Sequence, residues 1–232
     1  MKTTKSKDGT AIAYDIYGSG PALIYITGAT CFRSFKPILQ DARIFAKAFT
    51  VYNYDRRGRG DSGDTRPYAI EREVEDIEAM IDAAGGKAHL YGHSSGAVLA
   101  LEAALRLGGK VDKVVMYDPS YVHDQAEKAT YAQLSQNVSQ LLDAGKQKKA
   151  LMTFLKGIGM PGLFVRLLPL FPGWKTMLAL APTLAYDIAL TKDLPPLERV
   201  ARVTVPTQIV VGEKSPAGIQ VVANRLAKAI PG

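Results

Sequence analysis

A chain of 232 residues makes one large domain, or a domain carrying an insertion. Its 47% apolar and 22% charged residues exclude disorder and collagen-like repeats, and a single cysteine, Cys31, excludes an internal disulfide. The net charge of +7 comes from scattered basic residues, and the tightest group, Lys146, Lys148 and Lys149, reads as a solvated helix face rather than a nucleic-acid site. No uncharged run reaches the ~20 residues of a membrane span, and MKTTKSKDGT has no apolar signal stretch. The expectation is a cytoplasmic protein with no stable membrane insertion.

Along the chain, short β-like runs alternate with helical ones. Residues 10–17 alternate as a strand does, and 22–26 form a second strand ending in Thr27-Gly28-Ala29. A helix is expected over 35–49 and a strand over 50–54, which runs into a loop rich in glycine and arginine, 55–63. Ile70, Val74, Ile77, Ile81 and Ala84 share one helix face, with Glu and Asp expected opposite and Gly85-Gly86 as the stop. A strand over 87–91 leads into 95–107, which is apolar nearly all round, as a helix buried on a sheet would be. Strands follow at 111–117 and 207–211, and a helix at 219–229.

This alternation predicts an α/β fold, a mostly parallel sheet with helices on both faces. Residues 120–203 interrupt it with helix-like pieces broken by Pro161, Pro169, Pro172 and Pro182. That stretch is expected to form a helical cap over a core made of 1–119 and 204–232. Its apolar residues, among them Met160, Leu163, Phe164, Leu168, Phe171 and Trp174, are expected to pack mostly between cap and sheet, and collectively to suggest an apolar pocket.

Gly92-His93-Ser94-Ser95-Gly96 fits G-x-S-x-G with a strand before it and an apolar helix after it. A sharp strand-to-helix turn thrusts the central hydroxyl above the sheet, and the helix opening at Ser95 aims free N–H groups beside it. On these residues the chain resembles the α/β-hydrolase family over essentially its whole length. The resemblance implies an oxyanion hole from the backbone N–H groups of Ala29 and Ser95, with Thr27 standing where the family's loop has histidine. It makes the 55–63 loop a tight turn near the pocket. Gly58-x-Gly60-x-x-Gly63 within that loop mimics a dinucleotide fingerprint, but it lacks the following helix and the acid at a strand end.

A serine nucleophile needs a base, and the base needs an orienting carboxylate. In this fold the order is Ser, acid, His. The usual acid position after the late strand reads Gly212-Glu213-Lys214-Ser215, with serine where the family has aspartate. Two candidates remain open: Asp118 at the end of strand 111–117, where haloalkane-dehalogenase-like branches take their acid, and Glu213. Of the three histidines, His89 reads as a packed strand residue and His93 as an elbow residue facing away, while His123 is a stand-in base. The resemblance places the catalytic histidine beyond Gly232. The reading is then a serine hydrolase that cleaves a small apolar carboxylic ester through Ser94, with Asp118, Ala29 and Ser95 assisting. It uses no cofactor or metal, its partner is a small hydrophobic substrate and not nucleic acid, and a homo-oligomer is compatible with it. The other reading is a catalytically incomplete binder of an apolar ligand.

Overall fold

The computed structural model describes residues 1–231. Seven strands form one sheet: β1 (Lys2–Lys5), β2 (Ala11–Tyr17), β3 (Ala22–Ile26), β4 (Thr50–Tyr54), β5 (Ala88–His93), β6 (Val111–Tyr117) and β7 (Thr207–Val210). Their order is β1-β2-β4-β3-β5-β6-β7. The first two strands pair antiparallel, as does β2 with β4, and every later pairing is parallel. Parallel neighbours need crossover helices. These are α1 (Lys36–Phe45), α2 (Ile70–Ala83) and α3 (Ser95–Leu107). Ile24, Ile26, Leu90 and Met116 on the central strands are wholly buried, and so are Ala97, Leu99, Ala100 and Leu101 of α3. A helix with no polar side inside the core is what that apolar run requires.

Several boundaries differ from expectation. Helix α1 ends at Phe45, and residues 46–49 turn back to feed β4. Strand β1 was hidden by its polar sequence, because it is an exposed edge strand. The helical stretch expected from residue 120 does not open there. Helix α4 (Gln125–Asp143) begins later, where Asp124 Oδ1 accepts the Glu127 N–H at 2.8 Å.

Between β6 and β7 lie α4, α5 (Gln147–Gly157), α6 (Gly162–Leu167), α7 (Trp174–Ala179), α8 (Leu184–Thr191) and α9 (Leu197–Val200). These helices carry their own apolar core around Leu151, Phe154, Val165 and Leu184, and Ala29 packs against it. The expected apolar stripe divides here. Leu168 and Leu180 are buried, whereas Leu163, Phe164, Leu167, Leu170 and Phe171 face outward. The last helix, α10 (Ala217–Ala229), packs Val222 and Leu226 onto the main core.

Candidate active site

Strand β5 delivers the chain to Ser94 with no intervening loop. Ser94 sits at φ 56° and ψ −122°, a backbone region that costs a residue with a side chain about 1–3 kcal/mol. The surrounding contacts hold it there. Ser94 N–H donates to the Tyr117 carbonyl at 2.9 Å, and the Ser94 carbonyl accepts from Ala97 at 2.9 Å as α3 begins. A methyl group on Gly92 would overlap the Gly96 carbonyl, and one on Gly96 would overlap the Ile26 carbonyl. The two glycines of the motif are therefore set by backbone crossing backbone.

Ser94 is half-buried, and its Oγ lies 3.2 Å from Ser120 Oγ. Because the Ser120 hydroxyl donates to the Asp118 carbonyl at 3.2 Å, the Ser94 hydroxyl is the donor in this pair. The 27–31 loop passes beside it: the Cα of Gly28 approaches the Ser94 side chain so closely that an added methyl would sit 3.1 Å from its Cβ. Thr30 turns the loop with φ 59°, and the Cys31 N–H reaches back to the Gly28 carbonyl. Cys31 is half-buried, and burial pushes its thiol up to about 11, so it stays a neutral thiol.

A buried ionic cluster holds this loop in place. Arg56, Arg57 and Arg59, in the loop expected as a tight turn near the pocket, are at most 1% exposed. Asp187 of α8 accepts from Arg59 Nη2 at 2.7 and 2.8 Å, from Arg56 Nη1 at 2.9 Å and from Ser95 Oγ at 2.7 Å. The same two arginines donate to the carbonyls of Gly28, at 2.7 Å, and Thr27, at 3.3 Å. Burial works to raise the Asp187 carboxyl, but Arg59 and Arg56 outweigh it and hold it below the usual carboxylate range. Glu73 and Asp76, expected on the solvent face of α2, are also buried: Glu73 grips Arg56 through two 2.6 Å bonds, and Asp76 grips Arg57 at 2.7 and 2.8 Å. Asp55, at the start of the glycine-rich loop, turns inward to accept the Arg33 and Asp61 N–H groups at 2.7 and 3.0 Å.

Asp118 has φ 48° at the end of β6. Its Oδ1 accepts the Gly212 N–H at 3.0 Å, and the Ser215 hydroxyl lies 2.8 Å from both carboxylate oxygens. The serine in the family's aspartate position thus serves the carboxylate on the neighbouring strand. Glu213 is exposed and makes no side-chain hydrogen bond or ion pair among the described residues. A depression of about 490 Å³ opens beside Asp118, lined by Tyr117, Asp118 and residues 212–216. Ser94 does not line it.

No histidine among the described residues touches Ser94 Oγ by hydrogen bond. His89 stacks edge-on against Phe49. His93 lies beside Tyr117 with ring centroids 5.4 Å apart, and burial lowers its pKa. His123, the expected stand-in, has its Nδ1 2.6 Å from Glu127 Oε2 without hydrogen-bond geometry, and its carbonyl is taken by Arg225 at 2.8 Å. It faces α4 and Gly218 and does not meet Ser94.

The elbow, the glycine crossing and the sheet order define a class, and residues 18–232 match the Alpha/beta hydrolase family: the chain belongs to it. A solved α/β hydrolase from Sphaerobacter thermophilus DSM 20745 is 40% identical, with a TM-score of 0.88 over 99% of this chain and 89% of that one. The enol-lactonase of Burkholderia xenovorans LB400 is similar in fold, with a TM-score of 0.75 at 18% identity over 100% of this chain and 88% of that one. Among curated relatives, an uncharacterised hydrolase of Bacillus subtilis (strain 168) is 29% identical over 115 residues, which are 48% of this chain and 42% of that protein. A proline iminopeptidase of Pestalotiopsis fici is 26% identical over 140 residues, 54% of this chain and 47% of that protein. The match thus spans under half the length of either curated relative.

Proposed function

We propose that the protein is a serine hydrolase that cleaves a small apolar carboxylic ester through an acyl-enzyme on Ser94. The observation that carries this reading is the strained backbone of Ser94 between Gly92 and Gly96. Ser94 Oγ adds to the ester carbonyl carbon and passes its proton to a base. The N–H groups of Ala29 and Ser95 receive the oxyanion, and collapse expels the alcohol, which takes up that proton. Water then repeats the sequence on the acyl-enzyme and frees the acid.

Asp118 orients the base in this reading, because it alone of the two candidate acids is anchored beside an opening. The base this reading requires is a histidine, and none of the three among the described residues hydrogen-bonds Ser94 Oγ. The helical insertion acts as the cap, and Asp187 ties it to both sides of the oxyanion hole. The test is turnover of p-nitrophenyl acetate by the full-length protein. Ser94→Ala and Asp118→Asn each lower kcat by at least 10²-fold, while Glu213→Gln changes it less than threefold. Hydrolysis that survives Ser94→Ala contradicts the assignment. Retained affinity for an apolar ligand with no hydrolysis by the full-length protein selects a non-catalytic binder.

A further inference from the structure

The basic residues are less scattered than composition suggests. Residues 144–186 contain Lys146, Lys148, Lys149, Lys156, Arg166 and Lys175 and no Asp or Glu, so this one stretch carries +6 of a net charge of +7. None of the six has an acidic partner within 4.0 Å among the described residues, although Lys87, Lys110 and Lys128 elsewhere all do. The same stretch holds most of the large apolar side chains that face solvent: Leu163 is 72% exposed, Leu170 80% and Phe171 52%, with Ile158, Phe164 and Leu167 beside them.

These charges and apolar groups adjoin. Lys146, Lys148, Lys149 and Lys156 line a surface groove with Met152 and Leu178, and the Lys156 side chain reaches the start of α6, which carries Leu163, Phe164 and Leu167. Pro169 and Pro172 break the stretch, so it presents a blunt apolar tip flanked by cations rather than one long helix. The buried sides of these helices already satisfy the insertion's core through Leu151, Phe154, Val165 and Leu168, so internal packing does not account for the outward residues.

We infer that this face of the insertion docks on an anionic phospholipid bilayer, with Leu163, Leu170 and Phe171 entering the headgroup boundary and the lysines meeting the lipid charge. Apolar side chains combined with unpaired cations suit that partner, because each supplies a separate part of the adsorption free energy. A second copy of the chain would set six cations against six like charges. A nucleic acid would use the cations and leave the aliphatic residues idle. The association is peripheral, since no helix of the described residues is long and apolar enough to cross a membrane. It uses nothing attributed to Ser94.

The test is co-sedimentation of the full-length protein with phosphatidylcholine vesicles, with and without about 30 mol% phosphatidylglycerol. The inference predicts at least tenfold tighter binding to the anionic vesicles and a loss of most of it between about 0.05 and 0.5 M NaCl. Lys148→Glu with Lys149→Glu, and separately Leu163→Ser with Leu170→Ser and Phe171→Ser, each weaken binding at least tenfold with unchanged circular dichroism and unchanged Ser94 reactivity. Equal or absent binding to the two vesicle types overturns it. So does binding to duplex DNA that matches the lipid affinity and ignores the apolar substitutions, and so does a dimer in sedimentation velocity that the apolar substitutions abolish.

Discussion

At position 94 structure and chemistry pull against each other. The backbone strain there persists because Gly92 and Gly96 let three chain segments cross, and it raises the hydroxyl into place. Ser94→Gly relieves that strain, so its thermal midpoint rises by the equivalent of about 1 kcal/mol while all nucleophilic activity is lost. Calorimetry of the purified variant checks both halves, and an unchanged or lowered midpoint argues against strain. Asp187 makes the opposite case, a carboxylate whose only evident work is to hold other groups. Asp187→Ala strands Arg59 in the interior and leaves Arg56 to Glu73 alone, at a cost of about 3–5 kcal/mol. For a chain of this size that lowers the midpoint by about 6–20 °C. Asp187→Asn keeps the shape, and it costs less stability yet still lowers kcat more than it changes KM, because the Gly28 and Thr27 carbonyls lose a fixed anchor.

At the scale of elements, apolar patterning made most of the fold legible. Helix α3 runs over the residues its apolar run predicts, and the elbow lies between the strand and helix that its motif demands. What patterning hid were elements whose polarity misleads. The Lys2–Lys5 strand is charged because it is an edge, and Arg56, Arg57 and Arg59 are charged yet buried because each meets a carboxylate. A usable signal was present: Glu73 and Asp76 stand three apart beside Val74 and Ile77, on the face α2 turns inward, so they needed buried cations. Asp118 was legible as a strand-end carboxylate, but its anchoring by Ser215 depends on the β6–β7 pairing, which no local pattern encodes.

Strand β5 also carries a pH response. Burial lowers the folded-state pKa of His93 below the ordinary value near 6.5, so the unfolded chain takes up its proton first as pH falls. His93 therefore contributes stability fully above about 6.5, and that contribution is lost as pH drops through the lowered folded value. Urea midpoints measured at about pH 7.5 and pH 5.5 fall on acidification, and His93→Gln shrinks the difference. An unaltered difference in the variant assigns the slope to other groups.

For the whole molecule, the sheet and the helical insertion each have an apolar core, Leu190 and Val200 of the insertion reach into the sheet's, and a buried ionic cluster ties the two together beside the elbow. That arrangement lets the outer face of the insertion carry charge and apolar surface without disturbing Ser94. It also makes Ser94 the point on which every functional statement converges. The most direct measurement is intact-protein and peptide mass spectrometry of the full-length protein after exposure to a fluorophosphonate. One adduct on Ser94, lost in Ser94→Ala and slowed in Asp118→Asn, is the predicted result. A folded, histidine-bearing protein that leaves Ser94 unmodified, or takes the adduct at another residue, contradicts the account.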